Sequence, residues 1–216
     1  RLSDDEEHAL APVVKWTDEP DRGYNLVEIC TWDRAGLFTK IAGSLSAAGM
    51  NILSAQIFSR GDGIALDTFF VNDARTGNLA SREQREKFSQ LLEKVLTGEA
   101  VDLSALIKKQ IITRQYHPYL GEKIPTRIHF DNEASETRSV IEIETEDRLG
   151  LLYAISQTFA DLHVDISNAR IVTERGAAID SFYVREADGG KVELPARRVL
   201  IESRLREAIG GLETMA

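Results

Sequence analysis

Residues 25–32 alternate: Asn25, Val27, Ile29 and Thr31 fall on one side, and Leu26, Glu28, Cys30 and Trp32 on the other. A period of two is that of a strand, with Val27 and Ile29 as its core-facing pair. The period then changes. Leu37, Ile41, Leu45 and Ala48 are spaced by three and four, which predicts a helix with one apolar stripe, ending near Gly49. Two more strands, 51–59 and 64–71, flank Arg60-Gly61-Asp62-Gly63, whose Asp-Gly pair suits a tight hairpin turn. From about 81 to 96 a charged helix carries Phe88, Leu91, Leu92 and Val95 on one side.

This pattern is written twice. Asp33, Arg34, Gly36, Leu37, Ile41, Ile52, Ala55 and Ile57 return as Asp147, Arg148, Gly150, Leu151, Ile155, Ile166, Ala169 and Ile171, all at an offset of 114. After one deleted residue, Asp67, Phe69 and Val71 match Asp180, Phe182 and Val184 at an offset of 113. A spacing kept through turns and apolar positions alike marks a repeated structural unit. The second copy predicts a strand with Ile141 and Ile143 inward and a helix on Leu151, Ile155, Phe159 and Leu162. A turn containing Arg175-Gly176 and a last helix over 196–209, opened by Pro195, complete it.

The order strand, helix, strand, strand, helix lacks one strand of a ferredoxin-like unit, and the similarity extends upstream to supply it. Val13-Val14-Lys15-Trp16 stands 114 residues before Arg127-Ile128-His129-Phe130, and Glu19 matches Glu133. A strand there, joined by a hairpin to the next, lies antiparallel beside it, where the usual last strand would be. The predicted class is therefore α+β: two permuted ferredoxin-like units, each a four-stranded antiparallel sheet with two helices on one face. The expected division is a tail over 1–11, a first unit over 12–97, a linker over 98–125, a second unit over 126–210 and a tail over 211–216. In the linker, Leu103, Leu106, Ile107 and Ile111 predict a short helix, and 117–121 an ordered loop.

Composition narrows the function classes. Apolar residues make up 43% of the 216, enough for a proper core, and 35 acidic against 26 basic residues give a net charge of −9. Such a chain repels nucleic-acid phosphates unless its basic residues form one patch. The densest basic stretches, Lys108-Lys109 and Arg197-Arg198, fall in predicted helices and read as solvated faces. The single cysteine, Cys30, excludes an intramolecular disulfide and suits a reducing cytoplasm. No apolar run reaches the roughly 18 to 20 residues that span a bilayer, and the acidic start is unlike a secretion signal, so the expected location is cytoplasmic with no membrane partner. The first residue is not methionine, as in a piece of a longer polypeptide. The four histidines are scattered without ligand spacing, and no glycine-flanked serine stands at a strand-to-helix elbow, so no zinc site and no serine nucleophile are expected. Asp67 and Asp180 read as two copies of one structural aspartate.

The strand-to-helix passage Asp33-Arg34-Ala35-Gly36-Leu37 is the best site candidate. The first N–H groups of a helix have no intrahelical acceptor, and glycine admits a ligand close to the backbone. A carboxylate seated there gains roughly 0.3 to 1 kcal/mol from the helix dipole when exposed. Asp33 either holds an ammonium group or caps the helix. Asp147, Arg148, Gly150 and Leu151 offer the same arrangement in the second copy. Each copy also places Asn51 or Asp165 directly before an isoleucine at the start of its second strand, and in a sheet shared by two units that strand end meets the helix start of its neighbour.

Asp-Arg-x-Gly-Leu, an apolar helix, then Gly49-Met50-Asn51-Ile52 and an edge strand resemble the ACT domain, a ferredoxin-like module that binds small effectors between paired units. The resemblance covers nearly all of the chain from Val13 to Ile209, and is nearest to the tandem ACT region at the C-terminal end of a larger nitrogen-regulatory enzyme. It implies an amino-acid effector, glutamine, held by Asp33, Gly36, Leu37, Asn51 and Ile52 and by a second set, Asp147, Gly150, Leu151, Asp165 and Ile166. It further implies upstream nucleotidyltransferase and HD-type hydrolase domains in the same polypeptide, using Mg2+ and acting on the PII signalling protein. Neither catalytic motif is present in these 216 residues, so no catalysis and no cofactor are expected of the segment itself. The second copy departs from the motif at Leu149, where many ACT turns have proline, and at His163 in place of Gly49. Rival readings are an RNA-binding module, since the RNA recognition motif shares the element order, and a purely dimerising module. The acidic charge and the lack of a basic, glycine-containing third strand oppose the former.

Overall fold

A computed structural model describes residues 11–57, 63–114, 124–174 and 176–213. The first repeat runs β1 (Val13–Glu19), a single 3-10 turn (Pro20–Arg22), β2 (Tyr24–Trp32), α1 (Leu37–Ala47), β3 (Met50–Gln56), β4 (Ile64–Asp73) and α2 (Arg82–Leu96). A connecting helix α3 (Leu103–Arg114) leads to β5 (Arg127–Asp131), β6 (Ser139–Glu146), α4 (Leu151–Asp161), β7 (Val164–Glu174), β8 (Ala177–Glu186) and α5 (Pro195–Glu213). The permutation read from the repeat is present: β1 pairs antiparallel with β2, and β5 with β6.

All eight strands form one antiparallel sheet in the order β1-β2-β4-β3-β7-β8-β6-β5. The two halves join where β3 meets β7, through Ser54 opposite Val172, Ala55 opposite Ile171 and Gln56 opposite Arg170. Applying the offset of 114 to the pair Ala55 and Ile171 returns Ile57 and Ala169, whose numbers have the same sum. The joint is therefore two-fold symmetric in register. Both strands carry a bulge at equivalent places, between Ile52 and Ser54 and between Ile166 and Asn168, where one extra residue bends the strand start away from its partner.

One face of the sheet is covered by the helices. Val27, Ile29, Phe69, Ile141, Ile143 and Phe182 turn toward them and are 2% exposed or less. Phe38 stacks on Phe69, and Phe159 tilts against Phe182; the strand aromatics are equivalent in the two repeats, while the helix aromatics come from different positions, Leu152 and Leu45 being their counterparts. On the other face the first repeat exposes Trp32 at 47% and Leu66 at 40%; in the second repeat Glu146 takes the place of Trp32, while Ile179, the counterpart of Leu66, is 47% exposed.

Several details extend the sequence reading. Helix α2 starts with a capping box, Ser81 accepting from the Gln84 N–H while the Gln84 side chain accepts from the Ser81 N–H. Helix α5 continues past the predicted end at 209 to Glu213, because Leu212 adds a further buried turn after Ile209. Arg197 and Arg198 do not form a solvated face: Arg197 bonds to the Glu186 carboxylate and the Leu162 carbonyl, and Arg198 to the Val192 carbonyl. Lys108 and Lys109 are exposed. The expected loop over 117–121 and most of the 60–63 turn lie outside the described residues.

The connecting helix is part of the core. Leu103, Ile107 and Ile111 are buried at 3–7% exposure. Gly43 on α1 lets α3 and α4 approach, since a Cβ there would stand 2.7 Å from the Tyr153 ring and 2.8 Å from Leu103 Cδ1. Gly43→Val is expected to destabilise the chain by about 1 to 3 kcal/mol through overpacking. Urea unfolding followed by circular dichroism measures this, and an unchanged midpoint would refute the close packing described.

Candidate functional site at the joint between repeats

The two strand-to-helix passages have the same backbone. Gly36 at φ 71° and Gly150 at φ 85° stand immediately before α1 and α4, in the left-handed region that glycine enters without strain. The Leu37 N–H bonds to the Arg34 carbonyl, and Leu151 to Arg148, so the turn itself uses the first helical donor. The following N–H groups, of Phe38 and Thr39 and of Leu152 and Tyr153, precede the first i to i−4 bond of each helix. Each passage is pinned to the hairpin beside it: Asp33 N–H donates to the Gly63 carbonyl and Asp147 N–H to the Gly176 carbonyl, both at 2.8 Å. No side chain caps either helix. The capping alternative for Asp33 is therefore not realised, because the glycine occupies the cap position.

Surroundings separate the copies. Asp33 and Gly36 are exposed, and Arg34 folds away from the passage to reach the Leu96 carbonyl at 2.9 Å. Gly150 and Leu151 are buried, and a Cβ on Gly150 would stand 2.8 Å from Ile107 Cγ2 on the connecting helix. The strand tips differ too. Asn51 Nδ2 donates to Asp147 Oδ2 at 2.9 Å, a bond between repeats that joins the start of β3 to the start of α4. The two-fold equivalent would bring Asp165 toward Asp33, two carboxylates, and Asp165 instead pairs with Arg185 at 2.7 Å within its own repeat. Of the ten sequence-selected residues, Asn51, Ile52, Asp147, Gly150 and Leu151 share one cleft; Asp33, Gly36, Leu37, Asp165 and Ile166 are not among its walls.

That cleft is narrow, with inner space of about 10 Å³, roughly what one water molecule needs. Ser46, Arg148, Leu152, Ile171, Thr173, Ala178 and Asp180 complete its walls. Arg148 is held by Glu146 at 3.4 Å, with both side chains mostly buried. Asp180, read from the sequence as structural, is 2% exposed. Burial first, and the charge of Asp147 second, push its carboxyl well above the usual range, against the lowering effect of a bond from the Val172 N–H. Asp147 is also raised by burial, opposed by the bond from Asn51, by the Thr173 hydroxyl and by the nearby Arg148. The sequence pairs Asp180 with Asp67 across the repeats and contains no signal that links it to Asp147.

A wider cleft lies in the first repeat, between Ala48, Asp73, Arg75 and the start of α2. Of its two acids, Asp73 is already engaged, since Asp73 Oδ1 accepts from the Arg75 and Thr76 N–H groups and from the Thr76 hydroxyl. The capping box likewise occupies the start of α2 there. Among the described residues no group of three potential metal ligands occurs, and no helix is long and apolar enough to cross a membrane.

The buried acid pair has a sign that can be tested. With its folded-state pKa above the unfolded value, Asp180 keeps a proton that the unfolded chain releases, so its contribution lowers stability as pH rises from about 4 through the raised value. Asp180→Asn is expected to gain urea resistance relative to the parent chain at pH 8 and to gain less at pH 5. Parallel urea titrations across that range measure the difference, and a constant offset would contradict the assignment.

Comparison with known proteins agrees with this architecture. A family model described as ACR9-like, ACT-like domain matches residues 127–212. Bifunctional uridylyltransferase/uridylyl-removing enzymes align along most of the chain. That of Rhodospirillum rubrum is 37% identical over 93% of this chain and 21% of its own length. That of Azospirillum brasilense is 39% identical over 88% and 20%, and that of Gluconobacter oxydans 34% over 97% and 22%. Among solved structures, an aspartate kinase from Synechocystis covers 86% of this chain with 27% of its own, at 12% identity and a TM-score of 0.46. The chain spans about a fifth of the length of the curated relatives it matches. With two permuted ferredoxin-like repeats joined edge to edge, the chain is similar along most of its length to a region of bifunctional uridylyltransferase/uridylyl-removing enzymes, and its second repeat matches an ACT-like domain.

Proposed function

We propose that this chain senses an amino acid, glutamine, and passes the signal to catalytic domains of a uridylyltransferase/uridylyl-removing enzyme that modifies the PII signalling protein. The observation that carries the proposal is the bond between Asn51 and Asp147, the polar link between repeats at a helix entrance. Asn51 presents a carboxamide, the same group that ends a glutamine side chain, to a carboxylate beside a left-handed glycine. In this reading the enclosed passage of α4, with Asp147, Gly150 and Leu151, and the β3 tip, with Asn51 and Ile52, form the effector site. The effector's carboxylate lies on the N–H groups of the first α4 turn, where dipole and donors favour an anion.

The cleft is too small for glutamine while Asn51 fills it, so binding requires the carboxamide to leave Asp147. Release of that bond removes a polar link between the two repeats, and a ligand that prefers one arrangement of them shifts the balance by its difference in affinity. A coupling of about 1 to 3 kcal/mol is typical of such sites. Mg2+ would serve the catalytic domains, and no residue of this chain is assigned to it. Asp33, Gly36, Leu37, Asp165 and Ile166 form the weaker second set, because the Asp165 carboxylate is engaged by Arg185 and the Asp33 passage is open to solvent.

Calorimetric titration with a panel of amino acids tests the proposal directly. Glutamine is expected to bind. Asp147→Ala is expected to weaken it at least about tenfold, a loss of about 1.4 kcal/mol, and Asp33→Ala by much less. An unchanged affinity in Asp147→Ala would remove the assigned site. Saturable binding of single-stranded RNA at low salt in a filter assay would favour the rival class.

A further inference from the structure

Asp180 is the one cleft-lining acid that the proposed function leaves without a task. It lies on β8 between β6 and β7, opposite Ile143 and Ile171, and is 2% exposed. Its Oδ1 is buried and has no hydrogen-bond partner among the described residues. A buried acceptor left unmade is uncommon in a folded protein and marks a place where a donor is missing. Asp67, at the equivalent position in the first repeat and equally buried, is not among the walls of this cleft.

Building on the proposed amino-acid site, we propose that Asp180 is a second recognition group there, a carboxyl whose unpartnered oxygen accepts a hydrogen bond from the ammonium group of the effector beside Asp147. An ammonium has three donors and no acceptor, which matches a cleft floor offering two carboxyl groups. The inner space of about 10 Å³ admits one group of roughly water size, and the remainder of the effector takes the place that Asn51 now fills.

The groups that face Asp180 set its charge state. From the passage before α4 come Asp147 and Arg148, the latter paired with Glu146; β7 contributes Ile171 and Thr173, and β3 contributes Asn51. Among the described residues of the cleft wall, Arg148 is the one cation, and it already has an acidic partner. Burial and the Asp147 charge favour the protonated form of Asp180. When the ammonium arrives as a cation, the Asp180 O–H gives its proton to solvent, and the resulting carboxylate pairs with the ligand. Binding therefore releases a proton, and a ligand without the ammonium neither releases it nor gains the contact.

The experiment is calorimetric titration of the 216-residue chain with L-glutamine and with glutaramic acid, the same molecule lacking the amino group, in two buffers of different ionisation enthalpy near neutral pH. The parent chain is expected to prefer glutamine by at least about tenfold and to release a fraction of a proton. In Asp180→Asn the preference should shrink severalfold and the proton release should disappear. Parent-like preference and proton release in Asp180→Asn would overturn the inference while leaving the glutamine site in place. Absence of any glutamine binding to the parent chain would defeat the proposed function and this inference together. Should Asp180→Asn fail to fold by circular dichroism, the parent chain alone decides: buffer-independent heats or equal affinity for the two ligands would sink the role.

Discussion

The contact on which the rest of this structure depends is the backbone pairing of β3 with β7. A four-stranded sheet of this topology ends at that strand, with a row of N–H and C=O groups that need partners. Three residue pairs supply them, and their two-fold register sets where every other part of one repeat lies against the other. Pairing in this register brings α1 against α4, gives α3 a shared surface to cover, and sets the start of β3 beside the start of α4. The bond between Asn51 and Asp147 is a consequence of that register. A slip by one residue would turn the apolar residues of an edge strand to the wrong face.

Symmetry in the joint does not produce symmetry in the sites. The asymmetry comes from side chains and from a single helix present once. α3 places Ile107 over Gly150, closing one passage, while a Cβ on Gly36 would meet nothing within 4 Å. Asn51 has become Asp165 in the second copy, which turns a neutral donor into a charge and exchanges a bond between repeats for one within a repeat. The enclosed passage thus gains low dielectric surroundings and a buried acid pair, and the open one remains solvated.

Much of the fold was readable because repetition multiplies weak signals. A strand-period segment such as 25–32 is ambiguous alone, but its return at a fixed offset, with the same glycine and aspartate after it, defines a unit. The upstream strand was legible through Val14 and Ile128 for the same reason. Features that depend on three-dimensional proximity were not. Leu103, Ile107 and Ile111 show an amphipathic helix and not which surface receives it. Arg197 looks like any charged helical residue until Glu186 and the Leu162 carbonyl are seen beside it. Asp180 reads as one of a structural pair because its nearness to Asp147 arises from the β6 and β8 pairing and the turn that follows β6, and neither is written as a local motif.

The outermost strands of the joined sheet, β1 and β5, carry cross-strand ion pairs, Lys15 with Glu28 and Arg127 with Glu144. These solvated charges discourage another chain from adding there. The inner edges are consumed within the molecule, strand against strand. Severing the polypeptide between its halves would therefore uncover sticky borders on both pieces, and each piece would gain by clasping a copy of itself. Covalent tethering spares the molecule that promiscuity and lets the two halves diverge in sequence while still meeting one another.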